Sequence, residues 1–175
     1  MTCRLACRCM ALLLLALFAS AAAARLPEAA RFTTADGLPS NAVHQVVQDR
    51  QGYLWFATDD ALARFDGRQC RLWRREQGLA DNALLSLAVD AQDRLWMGTG
   101  YGTLMRMSAD RSRIDGFGGD SHPALAGVPI SAVLPDAEGG VWFGTRGAGL
   151  FRLDRQQRIR HFLPTLRDDG VPAGD

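Results

Sequence analysis

The stretch Leu54-Trp55-Phe56-Ala57-Thr58 decides the fold of this chain, because it occurs three times. It returns as Leu95-Trp96-Met97-Gly98-Thr99 and again as Val141-Trp142-Phe143-Gly144-Thr145. The tryptophans are 41 and 46 residues apart, a spacing typical of propeller blades or of helical arrays. The chain is therefore built from repeats, and the pattern around each tryptophan indicates their type.

Each tryptophan lies between a polar turn and a second apolar run. An aspartate stands six residues before it, at Asp49, Asp90 and Asp136. After it, apolar residues alternate with Arg or small residues, as in Leu104-Met105-Arg106-Met107. A period of two is typical of a strand with one buried face, whereas a helix would show apolar residues at i, i+3 and i+4. The pattern predicts an all-β fold.

Turn signals divide each repeat into four strands, and Asp66-Gly67 is a strong hairpin signal between two of them. We expect an isolated strand at 32–34, and then three units whose strands lie near 42–48, 53–58, 62–66 and 69–75; 84–89, 94–99, 103–107 and 111–117; and 130–135, 140–145, 149–153 and 158–163. The start of a fourth unit is indicated by Asp169-Gly170-Val171-Pro172, which repeats the pattern of Asp36-Gly37-Leu38-Pro39. Three four-stranded antiparallel blades form a partial β-propeller, because closed propellers typically have about 4 to 8 blades.

The N-terminus has the pattern of a signal peptide. Arg4 and Arg8 precede the apolar run 11–18, and small residues at 20–24 suit cleavage. The uncharged stretch 9–24 is shorter than the roughly 18 to 20 residues that span a bilayer. We therefore expect a signal peptide at 1–24, a lead-in with a closing strand at 25–41, and three blades plus the start of a fourth at 42–175, in an exported, periplasmic protein.

Charge and cysteine content argue against nucleic-acid binding and against a metal site. The formal net charge is +1, which gives no basic face for nucleic acid. Cys3, Cys7 and Cys9 fall inside the segment that we expect to be cleaved, so they indicate no metal site, and Cys70 remains alone as a small apolar residue.

The repeat resembles a known family. Gly37-Leu38-Pro39-Ser40-Asn41, the later Gly52-x-Leu54-Trp55-Phe56-x-Thr58 and the closing Phe65-Asp66-Gly67 are similar to the two-component regulator propeller repeat, over about residues 32–175. The departures are Ala61 where a Gly is usual, an extra residue in 100–103 and a rebuilt entry to the third unit at 121–129.

The resemblance implies the N-terminal part of a periplasmic sensor region. Such regions often have two seven-bladed propellers, an immunoglobulin-like domain, a membrane helix and a histidine kinase or diguanylate cyclase output. We therefore expect a receptor anchored in the inner membrane only through downstream segments, a homodimer when intact, and a small ligand such as an oligosaccharide. We expect no catalysis by this segment and no cofactor.

The prominent side chains first suggest structural roles. A tryptophan at one position of every blade is expected in the core, where its truncation would cost about 3 to 5 kcal/mol; a sugar-stacking platform is the alternative. The aspartates are expected to cap their own turns rather than to act as paired catalytic carboxylates or metal ligands. The glycine-rich 98–102 is read as a hairpin because no helix follows it.

Topology predicts where a ligand would bind. In an up-and-down sheet, the connections between the second and third strands and between blades share one end, and here these connections differ among the repeats. Variable loops on a common scaffold are usual recognition sites. We therefore predict a ligand-binding set made of Asp59, Asp60, Tyr101, His122 and Arg146.

Three functions are compatible with these features. The first is a ligand-sensing propeller segment of a two-component or cyclic-di-GMP receptor. The second is a propeller lyase or hydrolase, which would need a His/Glu or metal constellation on one face. The third is a truncated stub that self-associates through exposed strand edges.

Overall fold

The computed structural model describes residues 31–163. The expected signal peptide, most of the lead-in and the start of the fourth unit lie outside the described residues. The described part contains three separate four-stranded antiparallel sheets, each in sequence order. It is an all-β, partial propeller, as the repeat predicts.

Twelve strands form the three blades. Blade 1 contains β1 (Val43–Gln48), β2 (Leu54–Thr58), β3 (Leu62–Phe65) and β4 (Cys70–Trp73). Blade 2 contains β5 (Leu84–Val89), β6 (Leu95–Thr99), β7 (Thr103–Met107) and β8 (Ile114–Gly118). Blade 3 contains β9 (Ile130–Pro135), β10 (Val141–Thr145), β11 (Leu150–Leu153) and β12 (Ile159–Phe162).

The residues between the blades form the core. Trp55 is fully buried with Leu87 and Met105 in the cluster that joins blade 1 to blade 2. Trp96 is buried with Phe143 and other residues in the cluster that joins blade 2 to blade 3. The core role expected for the tryptophans is confirmed at these two positions.

The blade entrances also share a buried leucine. Leu38, Leu79 and Leu125 each lie 17 residues before the tryptophan of their unit, and all three are buried. The rebuilt entry to blade 3 therefore keeps the apolar anchor of the other two, although its loop is longer.

The isolated strand expected at 32–34 does not form in the described residues. Instead, Thr34–Asp36 is a 3-10 turn, capped by Thr33 and ended by Gly37 in the left-handed region. Arg75–Gln77 forms the same turn at the entrance to blade 2. The short-range capping box between Thr33 and Asp36 offers the backbone local hydrogen bonds that compete with strand pairing.

Blade 3 has one uncovered apolar face. Trp142 is only half-buried there, its ring centroid lies 5.0 Å from that of Phe162, and Leu134, Leu150, Phe162 and Leu163 are exposed.

No helix within residues 31–163 has the length and apolar character needed to cross a membrane.

Candidate functional site

Each blade has two chemically different ends. At the turn end are the β1–β2 connection and its counterparts, residues 49–53, 90–94 and 136–140. At the loop end are the β2–β3 connection and its counterparts, 59–61, 100–102 and 146–149, together with the inter-blade connections 74–83 and 119–129. The antiparallel order of every sheet places these groups at opposite ends.

At the turn end, an aspartate caps each tight turn. Asp49 Oδ1 accepts hydrogen bonds of 3.0 Å from the backbone N–H groups of Gln51 and Tyr53. Its Oδ2 accepts a bond of 2.8 Å from the indole Nε1 of Trp55. The capping role predicted from the sequence is confirmed. The aspartate also satisfies the polar atom of the buried tryptophan, which the sequence analysis did not foresee.

Asp90 repeats this arrangement in blade 2. Its Oδ1 caps the turn, and its Oδ2 accepts from Trp96 Nε1 at 2.8 Å and from Arg94 Nε at 2.6 Å. Burial alone would raise the pKa of the Asp90 carboxyl, but the hydrogen bonds from Trp96 and Arg94 outweigh it and lower that pKa. Asp90 is therefore a structural carboxylate.

The aspartate of the third turn has a different side-chain partner. Asp136 Oδ1 accepts from Gly140 N at 2.7 Å, and its Oδ2 accepts from Arg152 Nε at 2.9 Å. Burial opposes ionisation here as well, but these hydrogen bonds lower the pKa of Asp136.

An arginine joins blades 1 and 2 at the turn end. The Arg111 side chain is 9% exposed, and its Nη2 lies 3.1 Å from Asp49 Oδ2 and 3.2 Å from Asp93 Oδ2. Its Nη1 donates to Asp93 O at 2.7 Å, and its Cζ lies 5.1 Å from the ring centroid of Trp55. Sequence reasoning missed this contact, because Arg111 and Asp49 are 62 residues apart.

At the loop end, the predicted residues Asp59 and Asp60 both have side-chain partners. His44 Nε2 lies 2.6 Å from Asp59 Oδ1, and Arg74 Nη2 donates to Asp60 Oδ2 at 2.8 Å. The pairing register of β1 shifts between Val43 and Gln45, so His44 is the extra residue of a β-bulge. Bulges redirect side chains, and here the redirected imidazole reaches Asp59.

The other three predicted residues lie around segment 119–129. The Tyr101 side chain is exposed, and Tyr101 O accepts from Gly127 N at 3.3 Å. Arg146 N donates to Pro129 O at 2.8 Å, and the residue is exposed. The third, His122, belongs to the segment itself. Segment 119–129 thus contacts the loops of Tyr101 and Arg146 through backbone bonds, of which the Arg146–Pro129 bond repeats the Gly100–Ala83 bond of blade 2. The side-chain bonds of Asp59 and Asp60 stay in blade 1 and the connection that leaves it.

His122 combines an apolar contact with an unsatisfied nitrogen. Its ring meets Phe151 edge-on at 5.7 Å, and Phe151 stacks on His161 at 4.0 Å. The Nδ1 atom of His122 is buried and has no hydrogen-bond partner within residues 31–163. A buried polar atom without a partner is costly, so Nδ1 is an unsatisfied polar position within segment 119–129.

A further polar group at the loop end, Asp81, was not in the predicted set. Asp81 is buried, its Oδ1 lies 3.8 Å from Arg75 Nη2, and its Oδ2 has no partner in the described part of the chain. Gly100, one residue before Tyr101, is its close neighbour: a Cβ placed there would lie 3.7 Å from Asp81 Oδ2. The sequence signal was the change from Ser40-Asn41 to Asp81-Asn82 at matching positions.

The loop end is rich in side chains that can form hydrogen bonds. It presents a tyrosine ring, guanidinium groups, carboxylates and an imidazole, which suit polar and hydroxylated ligands. Among residues 31–163 no group of three or more His, Cys, Asp or Glu side chains is arranged to hold a metal ion.

Comparison with protein families identifies the repeat. The model described as "Two component regulator propeller" matches residues 37–60, 78–101 and 124–147. The matches begin at corresponding positions, one residue before Leu38, Leu79 and Leu125. Comparison with curated protein sequences gave no match.

Solved structures share the fold. The extracellular domain of a hybrid two component system from B. thetaiotaomicron is 23% identical, with a TM-score of 0.66 over 76% of this chain and 20% of that one. The extracellular domain of a one component system from the same organism is 18% identical, with a TM-score of 0.61 over 79% of this chain and 18% of that one. Virginiamycin B lyase from Staphylococcus aureus is 15% identical, with a TM-score of 0.57 over 72% of this chain and 42% of that one.

At these sequence identities, the similarity shows a shared fold. The chain spans about a fifth of the length of the two B. thetaiotaomicron domains. The family assignment rests on the three in-phase repeats and on the three four-stranded sheets that they form. The chain belongs to the two component regulator propeller family.

Proposed function

We propose that this chain is a ligand-sensing propeller segment of an exported signalling receptor, and that it performs no catalysis of its own. Family membership supports a role in two-component signalling. The proposal extends this role to a periplasmic receptor that is anchored through other segments and carries a histidine kinase or a diguanylate cyclase output.

The observation that carries the proposal is segment 119–129. Both described connections between blades begin with a three-residue 3-10 turn, but the turn in 74–83 ends at the left-handed Gly78, whereas that in 119–129 ends at His122 in an extended conformation. In blade 3 the longer loop packs between the Tyr101 and Arg146 loops and leaves His122 Nδ1 buried without a partner in the described residues. The exposed aromatic and cationic side chains on the loops beside this segment suit a small hydroxylated ligand, such as an oligosaccharide.

Asp59 and Asp60 complete the proposed binding set from blade 1. Their contacts with His44 and Arg74 are about half-exposed, so solvent screens them and a ligand hydroxyl can replace either partner at modest cost.

A panel of defined oligosaccharides tests the proposal. We expect at least one to raise the unfolding temperature of the full chain, as any ligand of the native state does, and to be recovered unchanged. The Tyr101→Ala and Arg146→Ala variants are expected to lose this shift. Arg68→Ala, an exposed arginine in a turn-end connection, is the matched control and should keep it.

Two results would contradict the sensing role. If the panel sugars are cleaved, the chain is a lyase or hydrolase. If no sugar binds, or if Tyr101→Ala and Arg146→Ala bind as well as the parent, the loop end is not the recognition site.

A further inference from the structure

The two blade junctions differ at the turn end. Arg111 and Gln157 occupy corresponding positions in the turns after β7 and β11, and both have left-handed backbones, with φ of 62° and 61°. Asp93 and Gly139 likewise correspond, with φ of 60° and 79°. The backbone is thus repeated, while both polar side chains of the first junction are replaced in the second.

A cavity lies in the second junction, where these two side chains are replaced. Between blades 1 and 2, the Arg111 guanidinium fills the space above Trp55. Between blades 2 and 3, a cavity of about 310 Å³ lies beside Trp96, with Gln157 and Gly139 in its lining. Gln157 makes no side-chain hydrogen bond within residues 31–163, so nothing in the described chain takes the place of the guanidinium.

The electrostatic character of this space is also reversed. The first junction offers a cation the carboxylates of Asp49 and Asp93. In the second junction, Asp90 Oδ2 is already occupied by Trp96 and Arg94, and Gly139 has no carboxylate to contribute. The cavity has therefore lost the acceptors that hold a cation.

The cavity has gained a cation in their place. Arg155 lines it, and its Nε would lie 2.8 Å from a Cβ added to Gly139, so the missing side chain is what lets the guanidinium lie there. The other charged groups of the lining are paired: Arg94 with Asp90, Arg106 with Asp115, Asp136 with Arg152, and Asp154 with Arg158. Among residues 31–163, Arg155 has no carboxylate partner.

We propose that this cavity binds a small carboxylate on a hydroxylated ring, namely a sugar acid of one ring. A planar guanidinium matches a carboxylate in a two-bond geometry. The side-chain amides of Gln92 and Gln157 suit ring hydroxyls, and the nearly buried side chains of Trp96 and Val141 complete the lining. The volume lies at the lower end of the roughly 300 to 1,000 Å³ of ligand pockets. The site lies at the opposite end from the proposed sensing site, and the two proposals stand or fall separately.

Titration of the full chain with glucuronate, followed by NMR, tests the inference. The signals of the Trp96 indole N–H and the Gln157 amide should move with glucuronate. Glucose, which has a hydroxymethyl group where glucuronate has a carboxylate, and acetate, which lacks the ring, should each bind at least about tenfold more weakly, as expected for the loss of a charge-assisted hydrogen bond or of the ring contacts.

Three variants locate the site. Arg155→Ala should weaken glucuronate binding about tenfold, whereas Arg68→Ala should not change it. The double variant Gln157→Arg with Gly139→Asp puts an arginine into the cavity and a carboxylate beside Arg155, so it should abolish glucuronate binding; cooperative thermal unfolding checks that this variant is folded. The proposal is overturned if glucose or acetate binds as well as glucuronate, if Arg155→Ala binds like the parent, or if the double variant retains binding.

Discussion

The Arg111 contact should be a major source of stability between blades 1 and 2. We predict that Arg111→Met, which keeps an apolar stem and removes the guanidinium, destabilises the fold by about 3 kcal/mol, since removing one partner of a buried ion pair costs about 3 to 5 kcal/mol. The lower limit applies because Asp49 keeps hydrogen bonds from Trp55 Nε1 and two backbone N–H groups.

The magnitude follows from the burial of the partners. The side chain of Asp49 is fully buried and that of Arg111 is 9% exposed, so water cannot replace the lost hydrogen bonds. Met also loses the cation–π contact with Trp55, which is worth about 0.5 to 2 kcal/mol depending on desolvation.

Gln157→Met is the matched control. Gln157 has the same backbone conformation as Arg111, so any cost of a methionine at positive φ is common to both variants and cancels. Because Gln157 is exposed, its replacement should change stability by about 0.5 kcal/mol or less.

Urea unfolding followed by tryptophan fluorescence gives both values. A double-mutant cycle of Arg111→Met with Asp93→Gly should show coupling of about 1 to 2 kcal/mol. If Arg111→Met and Gln157→Met cost the same, or if the cycle shows no coupling, then Arg111 does not join the blades and the reasoning on the two junctions is wrong.

Three further measurements probe other parts of the structure. Trp55→Ala should cost about 3 to 5 kcal/mol and Trp142→Ala about 1 kcal/mol, because Trp142 is only half-buried and loses less apolar contact; equal losses in urea unfolding would contradict this order. Gly102→Ala should destabilise by about 3 kcal/mol or more, because its Cβ would lie 1.7 Å from a backbone oxygen of segment 119–129, whereas Gly67→Ala, at a similar φ but in open space, should cost only about 1 kcal/mol. The pKa of Asp90 is lowered by folding, so the unfolded chain binds more protons as the pH falls below about 4; the free energy of unfolding should be constant from pH 7 to 5 and then decrease, and the Asp90→Asn variant should show a shallower decrease.

The blades could be predicted from the sequence because their determinants are local. A period of two, a fixed tryptophan and polar turns define each strand, and the predicted bounds agree with those of the structure to within about three residues, as at 111–117 against Ile114–Gly118. The strand expected at 32–34 was wrong because a local capping box formed there instead.

The contacts of the site residues were harder to predict, because their partners come from other repeats that are distant in sequence. The loop end was expected to gather five residues, and the structure places Tyr101 and Arg146 beside segment 119–129 but pairs Asp59 with His44 through a bulge. Nothing in the local sequence of Arg111 indicates that it reaches Asp49, since blade packing alone brings the two together.

The sequence analysis looked for ligand-binding sites only in loops that vary among the repeats. The difference between the two blade junctions shows that a candidate site can also lie where the backbone does not vary. At the turn end, the backbone of Gln157 repeats that of Arg111 within one degree in φ, so a search for unusual loops passes over it. Yet the exchange of Arg111 for Gln157 and of Asp93 for Gly139 replaces a filled, cation-binding space with a cavity beside the guanidinium of Arg155. Together with Arg155, which stands where blade 2 has Ala109, these exchanges on a repeated backbone turn a structural contact into a candidate binding site of opposite charge preference.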